Sequence, residues 1–251
     1  MIKRIFVSET DRSNLSQSKT IQDPGPDYFN YKGIVVNKPW GYEYLMFEND
    51  YVAIWMLHLK KDHATSMHCH PRKRASMIVI SGKVLASTLN QWFELSHLDG
   101  LIYEEGVFHT SKALSDDTMI MEIETPPIKK DLVRLKDNYG RENKGYEGKS
   151  QFSKELKSYK HIFFEKKEIK QRIKKKINNT IISFSECTSD YLHNAINGGN
   201  KKLYSILEEK VIDHKHKFHF GVGNIFDESF IKEYKDVRIF KNCLLLMLER
   251  V

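Results

Sequence analysis

Between Ile34 and Thr125 the chain is a succession of short apolar runs, each bounded by turn-forming residues, and this punctuation restricts the fold more than any other feature. "YEYLMF", "YVAIWMLHLK", "ASMIVISG", "KVLASTLNQWFEL", "GLIYEEG" and "TMIMEIET" are six runs rich in Val, Ile, Met and aromatic residues. Runs of this length set off by Gly, Asn, Asp and Ser read as β-strands. No helical repeat of apolar residues interrupts them, so they point to an antiparallel all-β sandwich or barrel. The 251 residues, 40% of them apolar, are enough to bury a sizeable core.

The flanking regions read differently. Residues 8–31, "SETDRSNLSQSKTIQDPGPDYFNY", are polar and end in Pro-Gly-Pro, which predicts an arm or linker over residues 1–30. The strand-rich region then spans residues 31–148. Residues 149–178 carry apolar side chains at three- and four-residue spacing and predict a mainly helical connector. Strand-like runs return over 179–251, as "TIISFSEC", "KKLYSILEEKVIDHKHKFHF" and "VRIFKNCLLLMLERV". The order of glycine, short strand, turn and terminal apolar strand in residues 99–124 recurs in 222–249, so the second half reads as a degenerate repeat of the first. In that alignment Lys232 falls opposite His109, and the repeat lacks a ligand there. The "HKHKFHF" of residues 214–220 alternates with Lys and Phe like an exposed strand face.

Charge is local. Of a net +7, residues 149–176 contribute eleven Lys and Arg against three Glu, leaving the rest near neutral. A basic stretch can attract nucleic acid, a membrane surface or phosphorylated metabolites. A solvated connector is the simpler account, and no nucleic-acid motif accompanies it, so nucleic acid is not expected as a partner. No apolar run approaches the roughly 20 residues of a membrane span, and "MIKRIFVSETDRSN" lacks the apolar stretch of a signal peptide. Cys69, Cys187 and Cys243 are odd in number and widely spaced, as reduced thiols are. These features predict a cytoplasmic protein.

Chemistry concentrates in "TSMHCHPRKRASMIVISG", residues 65–82. His68 and His70 stand at i and i+2, which on a strand places both on one face and turns Cys69 to the other. His109, in "IYEEGVFHTS", can complete an inward-facing set from a later strand. Three imidazoles with open positions suit a divalent transition metal (Zn, Fe, Mn or Ni) in a catalytic site. The alternative is that the histidines are polar residues lining a pocket.

At this point the sequence resembles the cupin superfamily, double-sheet jelly rolls. More narrowly it resembles the cupin domain of type II mannose-6-phosphate isomerases, often fused to mannose-1-phosphate guanylyltransferase. "NKPWGYEY" (37–44), "SMHCHPRKRASMIVISG" (66–82) and "KDLVRLKDNYGR" (130–141) carry the resemblance, which covers residues 35–148. It implies a metal held by His68, His70 and His109. It also marks departures: His68 stands where these isomerases usually have glutamine, Ala75 where they have a glutamate ligand, and Glu104 where they have a turn proline. A metal held by three neutral ligands keeps its full double charge and is a stronger Lewis acid for it. Members of the superfamily are often dimers, so a homodimer is expected.

Further roles follow from residue type and position. Arg134 suits a phosphate or carboxylate of a sugar, bound bidentately, and Lys73 and Arg74 are placed to attract a phosphate at the barrel mouth. Glu105, with Glu104, is a candidate general acid or base. Glu122 is expected to face away from the barrel, and Trp40 to plug the core. The leading function is a metal-dependent cupin, an isomerase or epimerase of a sugar phosphate or sugar nucleotide, in surface-polysaccharide biosynthesis. A three-histidine iron dioxygenase and a non-catalytic, two-cupin sugar- or partner-binding protein stay open beside it.

Overall fold

The structure, a computed structural model, describes residues 1–18, 29–142, 144–188, 202–208, 220–234 and 243–251. Its centre is an eight-stranded sheet. In spatial order this sheet holds β1 (Ile2–Ile5), β9 (Gly100–Tyr103), β6 (Arg74–Ser81), β11 (Thr118–Thr125), β4 (Ala53–Leu59), β3 (Gly41–Glu48), β2 (Val35–Lys38) and β13 (Phe152–Ser153). A second sheet faces it, ordered β12 (Val133–Lys136), β5 (Met67–Cys69), β10 (His109–Ala113), β7 (Val84–Thr88) and β8 (Trp92–Leu95). From β4 to β7 and again from β8 to β12 the chain changes sheet at every connection, which makes this a jelly roll.

A third sheet, ordered β14 (Lys175–Ile177), β15 (Thr180–Cys187), β18 (Cys243–Arg250), β16 (Lys202–Ile206) and β17 (Ile225–Asp227), lies on the outer face of the central one. Strand alternation explains why the central sheet can serve both neighbours. Leu45, Trp55, Leu57, Met77, Val79 and Ile120 pack inward against Val84, Ala86, Leu95 and Ala113 of the second sheet. Tyr44, Met46, Ile54, Met56, Ile78 and Met121 pack outward against Ile182, Phe184, Leu203, Leu246 and Leu248 of the third. Covered on both faces, β4, β6 and β11 are apolar almost throughout; β10, with one face on the core, alternates buried and half-buried residues. The described residues of the second half thus form one sheet layered on the jelly roll, with no second sheet opposite it to close another barrel. Residues 214–219 of the "HKHKFHF" segment lie outside the described residues.

The two flanks differ from their sequence patterns. Residues 1–18 are integrated into the fold: β1 pairs in parallel with β9, and helix α1 (Glu9–Gln17) starts at a Ser8–Asp11 capping box that buries Asp11. In the basic connector only α2 (Lys166–Lys170) is α-helical. Its other apolar residues serve an extended strap along the central sheet, where Tyr159 Oη donates to Asn37 Oδ1 at 2.8 Å and the Ile162 amide to Tyr44 Oη at 3.1 Å. Leu156, Tyr159, Ile162 and Phe163 pack on the outer core from that strap, which is why their spacing resembles a helix face. A short α3 (Glu228–Glu233) follows β17. No helix among the described residues is long and apolar enough to cross a membrane. In "KPWG", Gly41 has φ +147°, and a Cβ there would stand 1.9 Å from the His58 carbonyl oxygen, so the β2–β3 turn requires glycine.

Candidate metal centre

Two strands of the second sheet build the centre. His68 lies in β5 and His70 one residue beyond its end; His109 opens β10 and pairs directly with His68 across the antiparallel ladder. The alternation that turns His68 and His70 inward sends Cys69 to the opposite face, where it packs with Phe108 and Val133. The ring centroids are 4.6 Å apart for His68 and His109, 5.0 Å for His68 and His70, and 5.4 Å for His70 and His109. One ring nitrogen from each of the three falls within 4.8 Å of the others. All three side chains are buried.

Their hydrogen bonds fix which nitrogen faces the centre. The Nδ1–H groups donate to backbone carbonyls: His68 to Ser66 at 2.7 Å, His70 to Asp131 at 2.6 Å, His109 to Val107 at 2.9 Å. Each Nε2 therefore carries a lone pair, and those of His70 and His109 are buried without a hydrogen-bond partner. Burial pushes all three imidazoles below their ordinary pKa, His109 to about 4, so they are neutral at neutral pH. Three buried, neutral, oriented imidazoles, two with an orphaned nitrogen, are a donor set that fits a divalent transition metal. Tyr103 stacks on His109 at 4.1 Å and 9° and holds its ring plane.

The central sheet, the loops beside it and Arg134 of β12 supply a very different lining. Lys38, Glu43, Lys73, Glu122, Glu124, Lys129, Arg134, Arg141 and Tyr146 line the same cavity as His68 and His70. The cations are matched to carboxylates: Lys73 to Glu124 at 2.8 Å, Lys129 to Glu43 at 3.0 Å, Arg134 and Arg141 to Glu147 at 3.0 and 2.7 Å, and Lys38 to both Glu43 and Glu147. Glu122 is the exception. Burial, reinforced by the charge of Glu124, pushes its carboxyl up to about 7. That carboxyl is therefore shared between acid and base forms at neutral pH, as a proton-transfer group requires.

Of the residues singled out from the sequence, His68, His70, His109, Lys73 and Arg134 lie together. Lys73 is not a charge at the mouth: it is 1% exposed and ion-paired in the wall. Arg134 is bound by the Lys144 carbonyl at 2.7 Å as well as by Glu147. Arg74 begins β6 with the opposite parity and donates to the Val222 carbonyl at 2.7 Å, outside the cavity. Glu105 sits exposed on the β9–β10 turn, and Glu104 pairs with Arg4. Glu122 corrects the expected orientation: with Ile120 it takes the inward face of β11, whose doubly buried pattern hides which face is which. Trp40 is a core residue that also reaches the cavity wall. Glu124, Lys129, Tyr146 and Glu147 had no motif to announce them, and Glu43 lay unremarked in "NKPWGYEY"; charged residues inside otherwise apolar strands, as in "YEYLMF" and "MEIE", are the signal that marks Glu43, Glu122 and Glu124.

No protein-family model matches the chain, and no curated protein is similar to it in sequence. Among solved structures it is similar to an uncharacterised conserved protein with a double-stranded β-helix domain from Klebsiella pneumoniae, at 15% identity and TM-score 0.35 over 38% of this chain and 84% of that one. It is similar to KdgF from a Halomonas species at 14% identity and TM-score 0.33, over 43% of this chain and 94% of that one. It is also similar to the capsular polysaccharide assembling protein CapF from Staphylococcus aureus, at 17% identity and TM-score 0.38. That likeness covers 41% of this chain and 32% of CapF, so the chain spans about a third of CapF's length.

Proposed function

We propose that this protein is a metal-dependent jelly-roll enzyme that moves a proton beside a carbonyl group of a sugar phosphate or sugar nucleotide, as an isomerase or epimerase. One observation carries the reading: His68 and His70, two of three clustered neutral histidines with Nε2 lone pairs, line a cavity together with Glu122, a carboxyl that burial pushes up to about 7. His68, His70 and His109 would hold the metal, which when bound supplies Lewis-acid polarisation of a substrate oxygen. Glu122, as carboxylate, takes the proton from the carbon next to the carbonyl, and the electron pair left behind moves onto the carbonyl oxygen. For isomerisation the same carboxyl returns the proton to the former carbonyl carbon on the same face, while the hydroxyl proton of the first carbon passes to the former carbonyl oxygen. For epimerisation the first carbon takes a proton from water on its opposite face, and Glu122 releases its own to solvent. The Lys73–Glu124 and Lys129–Glu43 pairs hold that wall in place. Because its cations are already matched to carboxylates, the cavity suits the hydroxyl and carbonyl end of the substrate, with the phosphate or nucleotide projecting from the mouth.

Incubation of the metal-loaded protein in D2O with hexose 6-phosphates and nucleoside-diphosphate hexoses tests this. Deuterium should appear at a carbon beside the carbonyl without oxygen, and should disappear in Glu122→Gln with the metal retained. A second reading has one feature in its favour: with Ala75 in β6 in place of a carboxylate, the ligand set is three neutral histidines, an arrangement open to an iron oxygenase. Oxygen uptake by the iron-loaded protein, with no deuterium exchange, would overturn the first reading in favour of the second. Thermal stabilisation by a sugar with neither product nor oxygen uptake would leave a binding protein.

A further inference from the structure

The peptide group between Val107 and Phe108 joins the metal centre to the N-terminal helix. Its carbonyl oxygen accepts the His109 Nδ1–H at 2.9 Å, and its N–H donates to Asp11 Oδ1 at 3.0 Å. The other carboxylate oxygen, Oδ2, accepts from the Ser8 amide at 2.8 Å and the Ser8 hydroxyl at 2.6 Å. Asp11 is 2% exposed, and no ion pair reaches it among the described residues. A buried carboxylate without a counter-cation is costly unless a positive charge lies close by. The three histidines beyond the peptide are neutral, and Ala75 supplies no carboxylate to their centre. Three donors and the first turn of α1 offset part of the Asp11 charge, and a divalent cation beyond the peptide would add to them.

We infer that Asp11 is a positioning residue of the metal centre, acting on His109 through the Val107–Phe108 peptide; the inference rests on the metal-centre reading. A carboxylate on the amide N–H polarises the peptide and strengthens its carbonyl as an acceptor. That stronger acceptor fixes the His109 tautomer and makes Nε2 a better donor, as a carboxylate bonded directly to a ligand histidine does. It also gives residues 1–18, polar and linker-like in sequence, a role in the centre: Ser8 and Asp11 close the capping box, and the same Asp11 side chain reaches the turn that presents His109.

Cobalt(II) affinity, by competition with a chelator, and the visible spectrum of the cobalt protein provide the test. Asp11→Asn keeps an oxygen for the Phe108 amide and removes the charge. Because its NH2 then faces the Ser8 amide, it breaks the capping box as well, which is why the Ser8 variant stands beside it. Asp11→Asn should weaken binding roughly 10- to 100-fold and shift the cobalt bands. Ser8→Ala breaks the capping box while keeping the carboxylate, and should bind within about twofold of wild type, since loss of a cap acts on helix stability alone. Equal weakening in both variants would overturn the relay, because Asp11 would then act only by holding the helix. Unchanged affinity and spectrum in Asp11→Asn would also overturn it. A measurement on the wild type needs no variant: the Phe108 amide proton should move downfield on zinc titration, and an unmoved resonance contradicts the relay. A wild type that binds neither ion would overturn the metal centre itself, an outcome distinct from all of these.

Discussion

The two walls of the cavity solve the problem of buried polarity in opposite ways. The histidine wall holds no formal charge, ties every Nδ1–H to a backbone carbonyl, and leaves two Nε2 atoms without partners. The charged lining, drawn from the central sheet, its flanking loops and Arg134 beside His68, has its cations matched to carboxylates within the fold. The charged groups keep orphans of their own, since Lys73 Nζ, Glu124 Oε2 and Arg134 Nε are also buried without a hydrogen-bond partner, but Lys73 and Arg134 each have a carboxylate within 3.0 Å. The difference lies in charge: neutral nitrogen donors on one side, paired ions on the other. Glu122 belongs by position to the charged wall but stands apart from its ion pairs, since burial and the charge of Glu124 push its carboxyl up to about 7.

Breaking that exception should have the largest effect. Glu122→Gln should lower turnover roughly 10²- to 10⁴-fold, the usual contribution of a general base, while metal content, measured on the same sample, stays unchanged. Next comes the matched wall. Lys73→Met leaves Glu124 in a site where the two side chains are 1% and 2% exposed, with Lys129 at 3.6 Å as its remaining cation. Removing one partner of such a pair should cost about 3 kcal/mol in urea unfolding, with cobalt affinity preserved.

The walls should also titrate in opposite senses in metal-free protein. His109 has its folded pKa lowered from 6.5 to about 4. The unfolded chain therefore takes up a proton as pH falls through 6.5, while the folded chain does so only near 4. Stability from this wall is full above 6.5 and drains away on acidification between those values. Glu122 has its folded pKa raised from 4.5 to about 7. The unfolded chain loses that proton first, so stability from this residue declines as pH rises from 4.5 to 7. Urea unfolding across this range should show a shallower acid loss in His109→Ala, and a steeper rise with pH in Glu122→Gln, than in wild type. The smallest effect sharpens the boundary of the site: Glu105→Gln, exposed on the β9–β10 turn, should change stability by less than about 0.5 kcal/mol and leave turnover as it is.

How much of this was legible in the sequence depended on whether one face of a strand touches solvent or a cavity. The jelly roll was readable because its strands are short and punctuated by turn residues, and the histidines because spacing at i and i+2 forces a common face. The third layer hid the rest. Where both faces of β11 are buried, "TMIMEIET" has no alternation to reveal that Glu122 points inward. The same layer turned the connector into a strap whose apolar spacing imitates a helix. The N-terminal arm carried its signal in Ser8-x-x-Asp11, a capping pattern. Its value lies in a contact with Phe108, 97 residues away, that local patterning does not encode.

The central claim is that the histidine wall is completed by a metal ion. Elemental analysis by mass spectrometry of untagged protein, purified without chelator, beside a His68→Ala/His109→Ala variant, tests it most directly. Close to one equivalent of a divalent transition metal is expected in wild type and none in the variant. Two metal-free proteins of equal stability would contradict it.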